Sequence, residues 1–383
     1  MEDPGVLDAE STVAPLLRFE GLRYVAPYDH EVRARLSSSV GKRLGDILCG
    51  VEGLSKVSPA WWAAELNAGR VAMERFAGGG VVLEPIDADY IVRDGDRVHV
   101  RMHLHERVAP DVVPAIIYED EHFLAACKPS GVELFANPNG GVVRNSLMGM
   151  LEDLGYGKLY PAHRIDKPVS GVVCMAKHHK ALSKMARCVK RRDLRKTYLA
   201  RVRMDPDRGE ASLEGLSVDA PLSVAEEWET GAARAYVDFE HGKPARTEVR
   251  QVLRSFADGT AVVEVGIDTG RHHQIRCHLE HAGVPIANDF RYGGSAEACQ
   301  LIFKDDGSGA LRAMFEGRYR EHCEACAYCR RVLDGSEEPP TMEPSIWLHS
   351  WRYEFPSLGL SLEAPLPAWA AAALTASVEH CAG

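Results

Sequence analysis

The nine residues His163-Arg164-Ile165-Asp166-Lys167-Pro168-Val169-Ser170-Gly171 place four ionisable side chains within five positions. They lie between a Tyr-Pro-Ala turn signal and the apolar run Val172-Val173-Cys174-Met175-Ala176. Such a loop fills a core poorly, and loops carried on a rigid scaffold are where chemistry concentrates. It reads either as a reactive loop or as a charged surface turn. It offers one carboxylate, Asp166, whereas glycoside hydrolysis by paired acids requires two. A second set is Arg271-His272-His273-Gln274-Ile275-Arg276, continued by Cys277-His278-Leu279-Glu280-His281. Ile275, Leu279 and Ala282 mark one helix face, and Gly283 followed by Pro285 is a stop signal. Arg276 falls at the edge of the buried side. A half-buried guanidinium needs a carboxylate, and Asp166 is one candidate. A third set, Cys323, Cys326 and Cys329, has metal-ligand spacing, with His322, Cys299 or His349 as a fourth ligand for a structural zinc. The same spacing also places three thiols along one flank of an amphipathic helix.

Periodicity supplies the elements that must hold these groups. Residues 172–176 read as a buried strand. Lys180, Lys184, Arg187 and Arg191 share one face of a helix, with Leu182, Met185, Ala186 and Val189 expected as the opposite, core-facing stripe. Residues 184–203 hold nine basic residues against the single acid Asp193, a local charge of +8 in a chain of net charge −10. A single-sign stripe repels itself unless it meets an anion, so it reads as a phosphate-tracking surface. The other reading is a solvated face balanced by acids elsewhere. Residues 196–202 alternate as a half-buried strand, with Tyr198, Ala200 and Val202 on one face. Residues 261–268 form another strand, residues 115–131 a strand-turn-strand ending in Pro-Ser-Gly, and residues 144–154 a helix.

Upstream, residues 1–38 carry no clear period and read as an aromatic-rich lead-in. Residues 39–107 look like a small unit. It has a helix over residues 42–48 and a second helix opened by Ser58-Pro59 and ended near Gly69. Strands follow at residues 81–83 and 97–102, the latter after an Asp94-Gly95-Asp96 turn. Composition is that of a globular protein, with 45% hydrophobic and 26% charged residues. No stretch reaches the roughly 18 apolar residues that span a bilayer. The acidic start, with Glu2, Asp3, Asp8 and Glu10, is neither a signal nor a transit peptide. A cytoplasmic protein is expected, with a nuclear one as the alternative. Single cysteines in apolar settings (Cys127, Cys174, Cys277) read as reduced, buried residues.

Taken jointly, several motifs resemble the RluA-type RNA pseudouridine synthases, in their eukaryotic branch. They are Lys128-Pro129-Ser130-Gly131, His163-Arg164-Ile165-Asp166 with Ser170-Gly171, Lys196-Thr197-Tyr198-Leu199-Ala200, Gly270 to Arg276, Ala287-Asn288-Asp289 and Tyr292-Gly293. Ile165 and Val169 stand where that family usually has Leu and Thr, and Phe135-Ala136 where it has His-Pro. The resemblance implies an α+β pseudouridine synthase fold with a mixed, mostly antiparallel central sheet over residues 112–383, carrying an insertion at 295–345. Residues 39–107 resemble a ribosomal S-four-type (alpha-L) RNA-binding module through Lys42-Arg43-Leu44, Gly69-Arg70-Val71 and Gly95-Asp96-Arg97-Val98. The implied reaction isomerises uridine in RNA, tRNA first, to pseudouridine without a cofactor. The implied catalytic residues are Asp166 as the reacting carboxylate, Arg276 as its cationic partner and Tyr198 against the uracil. Arg164 would fill the gap left by the flipped base, Ile275 would close the pocket, and Lys180, Lys184, Arg187, Arg191 and Lys196 would meet the RNA. The enzyme is expected as a monomer without membrane contact. A noncatalytic RNA-binding protein and a synthase of rRNA or mRNA are the competing expectations.

Overall fold

The computed structural model describes residues 16–19, 21–48, 59–77, 80–136, 143–226, 233–295 and 345–375. Ser58 and the Cys323, Cys326 and Cys329 cluster lie outside the described residues, as does nearly all of the 295–345 insertion. The chain divides into two compact units. One contains the described residues up to Asp111 and those from Phe135 to Gly149; the other contains the described residues from Val112 to Leu134 and from Met150 onward.

The first unit begins with β1 (Leu16–Phe19), β2 (Leu22–Val25) and β3 (Tyr28–Arg35). Helices α1 (Leu44–Ile47) and α2 (Pro59–Asn67) follow, then β4 (Val71–Ala77), β5 (Gly80–Pro85), β6 (Arg97–Leu104) and β7 (Ala109–Pro110). β1, β2 and β7 form one antiparallel sheet, and a second runs β3-β6-β4-β5. Leu44, Leu48, Trp62, Val71, Met73, Val98 and Val100 make a core. The turn before β6 is fixed by the buried Asp96 carboxylate. It accepts from the Arg93 N–H at 2.7 Å, the Tyr90 hydroxyl at 2.9 Å and Arg75 Nη1 at 2.7 Å. Tyr28–Arg35, in a stretch without clear period, is a full strand paired along β6. Its inward positions include His30 as well as Val32, and a buried histidine hides the apolar alternation. β4 was hidden likewise, because Glu74 is buried within it.

The second unit carries β8 (Ala115–Glu119), β9 (Phe123–Lys128), β10 (Tyr160–Pro161), β11 (Ser170–Ala176), β12 (Arg195–Arg203) and β13 (Ser217–Asp219). It continues with β14 (Leu222–Glu226), β15 (Ala233–Val237), β16 (Arg246–Ser255), β17 (Thr260–Ile267), β18 (Leu348–Phe355) and β19 (Leu360–Glu363). The helices after α2 are α3 (Leu147–Asp153), α4 (His179–Lys190), α5 (Gln274–His281) and α6 (Ala368–Thr375). The main sheet runs β13-β16-β17-β12-β18-β11-β9-β8, with β10 on β11 and β19 on β18. Every neighbouring pair is antiparallel except β11 with β18, so the sheet is mixed and mostly antiparallel, as the sequence implies. β14 and β15 form a separate hairpin.

Two expectations need correcting. β12 is not half-buried: Thr197, Tyr198, Leu199 and Ala200 are all buried. The strand lies between β17 and β18, and Leu199 packs with Trp351 and α6's Ala370 on one face, so the middle of the strand is covered on both sides while its ends stay partly open. In α4 the core stripe is Ala181, Met185 and Cys188, while Ala186 and Val189 are exposed. The small Ala181 and Cys188 suit a helix that lies close against its neighbours, and the apolar stripe is rotated from the expected one.

Gly171 joins the charged loop to β11 where that strand meets β18. Its φ is +115°, and a Cβ there would lie 2.1 Å from the Ser350 carbonyl oxygen. Backbone has no flexible end that could give way. Gly171→Ala is therefore expected to cost roughly 3 kcal/mol or more of stability in chemical denaturation; a loss below about 1 kcal/mol would show that β18 can retreat.

Candidate active site

The loop between β10 and β11 is held by main-chain and side-chain bonds from β9 and the turn after it. Lys128 is fully buried, and its Nζ donates to the carbonyls of Pro129, Val132 and Lys167 at 2.9, 2.7 and 3.0 Å. Burial pulls its pKa down to about 7. Ser130 Oγ donates to the Pro168 carbonyl at 2.6 Å and the Gly131 N–H to that of Lys167 at 2.9 Å. The Val169 N–H closes a turn on the Asp166 carbonyl at 3.1 Å, and Ile165 and Val169 are buried anchors on either side of Asp166. His163 is a scaffold residue. Its Nε2 accepts from the Cys174 N–H at 3.0 Å, its ring lies 4.6 Å from that of Tyr353, and burial lowers its pKa to about 3.

This loop brings Asp166 to Arg276. Arg276 Nη1 lies 3.7 Å from Asp166 Oδ2, with the Asp166 side chain 21% exposed and that of Arg276 4% exposed. The arginine is fully buried rather than at the edge of the helix face, and its main partner is not Asp166. Its Nε and Nη2 donate to Asp289 Oδ2 and Oδ1 at 2.5 and 2.9 Å, and Asp289 has no exposed side-chain area. Burial opposes the positive charge, but the bonds and charge of Asp289, with Asp166 behind, raise the guanidinium's pKa above its ordinary value. Ile275, beside Arg276 on α5, is buried. Asp289 stands in a motif visible in the sequence, yet no spacing rule ties it to Arg276.

His273 approaches Asp166 as well, with Nε2 3.7 Å from Oδ2. Its backbone is left-handed, φ 50°, an arrangement costing about 1 kcal/mol that accumulates at functional sites. The Ala235 N–H donates to the Tyr292 hydroxyl oxygen at 2.9 Å, so the one Tyr292 proton is left to donate to His273 Nδ1 at 2.8 Å. The imidazole proton then sits on Nε2, toward Asp166. Burial, with Arg276 and other nearby cations, lowers the His273 pKa to about 2, so the ring is neutral. Tyr198 is buried on β12, its hydroxyl 2.7 Å from that of Tyr353. Burial pushes its pKa up to about 12, so it is a protonated phenol at neutral pH. Tyr353, Tyr292 and His273 had no assigned part in the sequence reading, because aromatic residues in strands and turns carry no distinctive spacing.

Arg164 is exposed and forms no ion pair among the described residues. Lys180, Lys184, Arg187 and Arg191 are all exposed on one side of α4, also without a carboxylate partner among the described residues. Lys196 is half-buried at the start of β12. Asp166, His272 and His273 offer ligand atoms within 4.8 Å of one another. Arg164, Arg276 and Arg291 all bear on His273, a surrounding that opposes a cation there.

Comparison with known proteins gives the family. A family model described as RNA pseudouridylate synthase matches residues 122–281, which hold Asp166, Tyr198 and Arg276. The dual-specificity RNA pseudouridine synthase RluA of Salmonella typhimurium is 36% identical over 186 residues, covering 49% of this chain and 80% of that protein. The mitochondrial tRNA pseudouridine(32) synthase of Saccharomyces cerevisiae is 30% identical over 291 residues, 71% of this chain; the chain spans 60% of that protein's length. The tRNA pseudouridine(31) synthase of the same yeast is 27% identical over 399 residues, 91% of this chain and 96% of that protein. The chain belongs to the RNA pseudouridylate synthase family.

Proposed function

We propose that this RNA pseudouridine synthase acts on tRNA and that Asp166 is its reacting carboxylate. The substrate reading is supported by two relatives whose names specify tRNA positions. The assignment of Asp166 is carried by a difference between two carboxylates on one arginine. Asp289 is wholly enclosed and takes two bonds, whereas Asp166 keeps 21% of its side chain exposed and faces a single guanidinium nitrogen at 3.7 Å. Asp289 holds the arginine, and Asp166 is left free to react.

In the reaction the glycosidic bond of uridine breaks, the uracil turns while bound, and its C5 is joined to the ribose. No electrons are exchanged with a second substrate, so the chemistry requires no cofactor. The base must first leave the RNA stack, at a cost of a few kcal/mol. Phosphate contacts along the α4 stripe, Lys180, Lys184, Arg187 and Arg191, offset that cost. Asp166 acts as nucleophile or base, oriented by Arg276 on one side and the His273 Nε2–H on the other. The Tyr198 ring supports the uracil, the hydrogen displaced from C5 leaves to solvent, and Ile275 forms the pocket wall. Arg164, exposed two residues before Asp166, occupies the space vacated by the base. In the first unit, residues 39–107 serve as an S-four-type RNA-binding module. The exposed Lys42 and Arg43 at its first helix and the Gly69-Arg70-Val71 turn into β4 support that reading.

Asp166→Asn is expected to abolish tritium release from [5-³H]uridine-labelled tRNA while leaving tRNA binding nearly unchanged; wild-type release by this variant would sink the mechanism. The two acids should part on stability. Asp289→Ala leaves a buried arginine charge unpaired and is expected to cost about 3–5 kcal/mol in urea unfolding. Asp166→Asn is expected to stay within roughly 0.5 kcal/mol of wild type. Equal destabilisation by the two substitutions would reverse the assignment.

A further inference from the structure

Beside the reaction site a cleft of about 230 Å³ opens between the end of α4, the start of β12 and the turn from β17 to α5. Its charged lining is Lys190, Arg192, Lys196 and Arg271, with Asp268 as the one acid. Lys196 is its innermost cation. Its Nζ lies 5.7 Å from the centroid of the Tyr353 ring and close against Gly270, where a Cβ would come within 3.2 Å. Among the described residues it has neither a carboxylate nor a hydrogen-bond acceptor, and burial lowers its pKa. A half-buried ammonium without an acceptor is costly unless something anionic joins it.

Two further features point the same way. α4 ends with the Arg192 N–H bonded to the Val189 carbonyl and the Asp193 N–H to that of Cys188, the geometry that usually ends on glycine. The residue in the left-handed position, φ 57°, is instead Arg192, a strained choice that places a cation at the cleft. Arg271 uses Nε on the Pro244 carbonyl at 3.1 Å, which leaves its two Nη groups unspent by that bond. The cleft also has a defined relation to the chemistry. Lys196 and Tyr198 pair regularly with Ile267 and Val265 of β17, so they share one face of β12 at a spacing of about 7 Å. That is about one nucleotide step of an RNA backbone.

We propose that this cleft binds a backbone phosphate of the RNA next to the reacting nucleotide, with Lys196 as its central ligand. The proposal rests on the reading of the chain as an enzyme acting on RNA. Its test is the salt dependence of tRNA binding in an Asp166→Asn background. Adding Lys196→Met is expected to weaken binding and to lower the slope of log K against log salt by about 0.7–0.9, the share of one phosphate. Adding Arg192→Gly is expected to lower the slope as well while raising the unfolding temperature, since glycine relaxes the left-handed position. That second variant separates lost charge from misfolding. An unchanged slope in both variants overturns the proposal. So does saturable binding of inorganic phosphate that Lys196→Met removes without altering the RNA slope, because the cleft would then serve a free anion. If the wild-type protein forms no pseudouridine in tRNA, the underlying reading fails instead; normal activity with unchanged slopes refutes the cleft alone.

Discussion

Arg276 is a charge buried almost to completion, and a charge in that position dictates its surroundings. Asp289 must be there, enclosed and doubly bonded, or the guanidinium would not be tolerated. Once Asp289 takes Nε and Nη2, the orientation of the third nitrogen is no longer adjustable. Whatever carboxylate meets Nη1 does so at a place fixed by the core of the protein. The loop bearing Asp166 is brought to that place by a separate set of restraints, the carbonyls gathered by Lys128 and the bonds from Ser130 and Gly131. Two rigid bodies, helix and loop, therefore meet at Asp166, which lies 3.7 Å from both Arg276 and His273, a means of preorganisation.

The same logic explains why the site is dry in one direction and open in another. Tyr198, Tyr353 and His163 form an aromatic floor in which the two hydroxyls are bonded to each other and the His163 Nε2 accepts from the main chain. Burial holds both phenols protonated and the imidazole neutral. Cations that need an anion, Arg164 and the α4 stripe, lie on exposed ground. The chain is acidic overall, yet its positive charge is concentrated on one helix and the strand after it.

Much of the site was legible from residue types and their order. Asp166 stood out as the lone carboxylate of a charged loop, and Arg276 as a helical arginine with an apolar flank. The mixed sheet followed from the resemblance carried by these motifs. The pairings were less legible. Arg276 finds Asp289 through the turn after α5, thirteen residues on, and no helical or strand period links them. Tyr292 and Tyr353 reach the site through tertiary folding alone. The charged side of α4 was read correctly because an exposed stripe needs only its own spacing. Its apolar side was not, because which residues are buried depends on how closely the helix sits. β3 escaped notice because an inward histidine interrupts the apolar pattern.

The position of β18 has a consequence for how the protein comes into being. It lies between β12 and β11 in the sheet although it follows both by well over a hundred residues, and Ser170 meets His349 across a sequence separation of 179. On a ribosome, β11 and β12 emerge early with the gap between them unfilled. The loop carrying Asp166 cannot settle against Ser350 and Ile346 until that late strand arrives. Folding of the centre of the sheet must wait for a long-range closure, which is slow and leaves strand edges open in the interval. The contact between Asp166 and Arg276 can thus be completed only after β18 has been made and has filled the gap between β11 and β12.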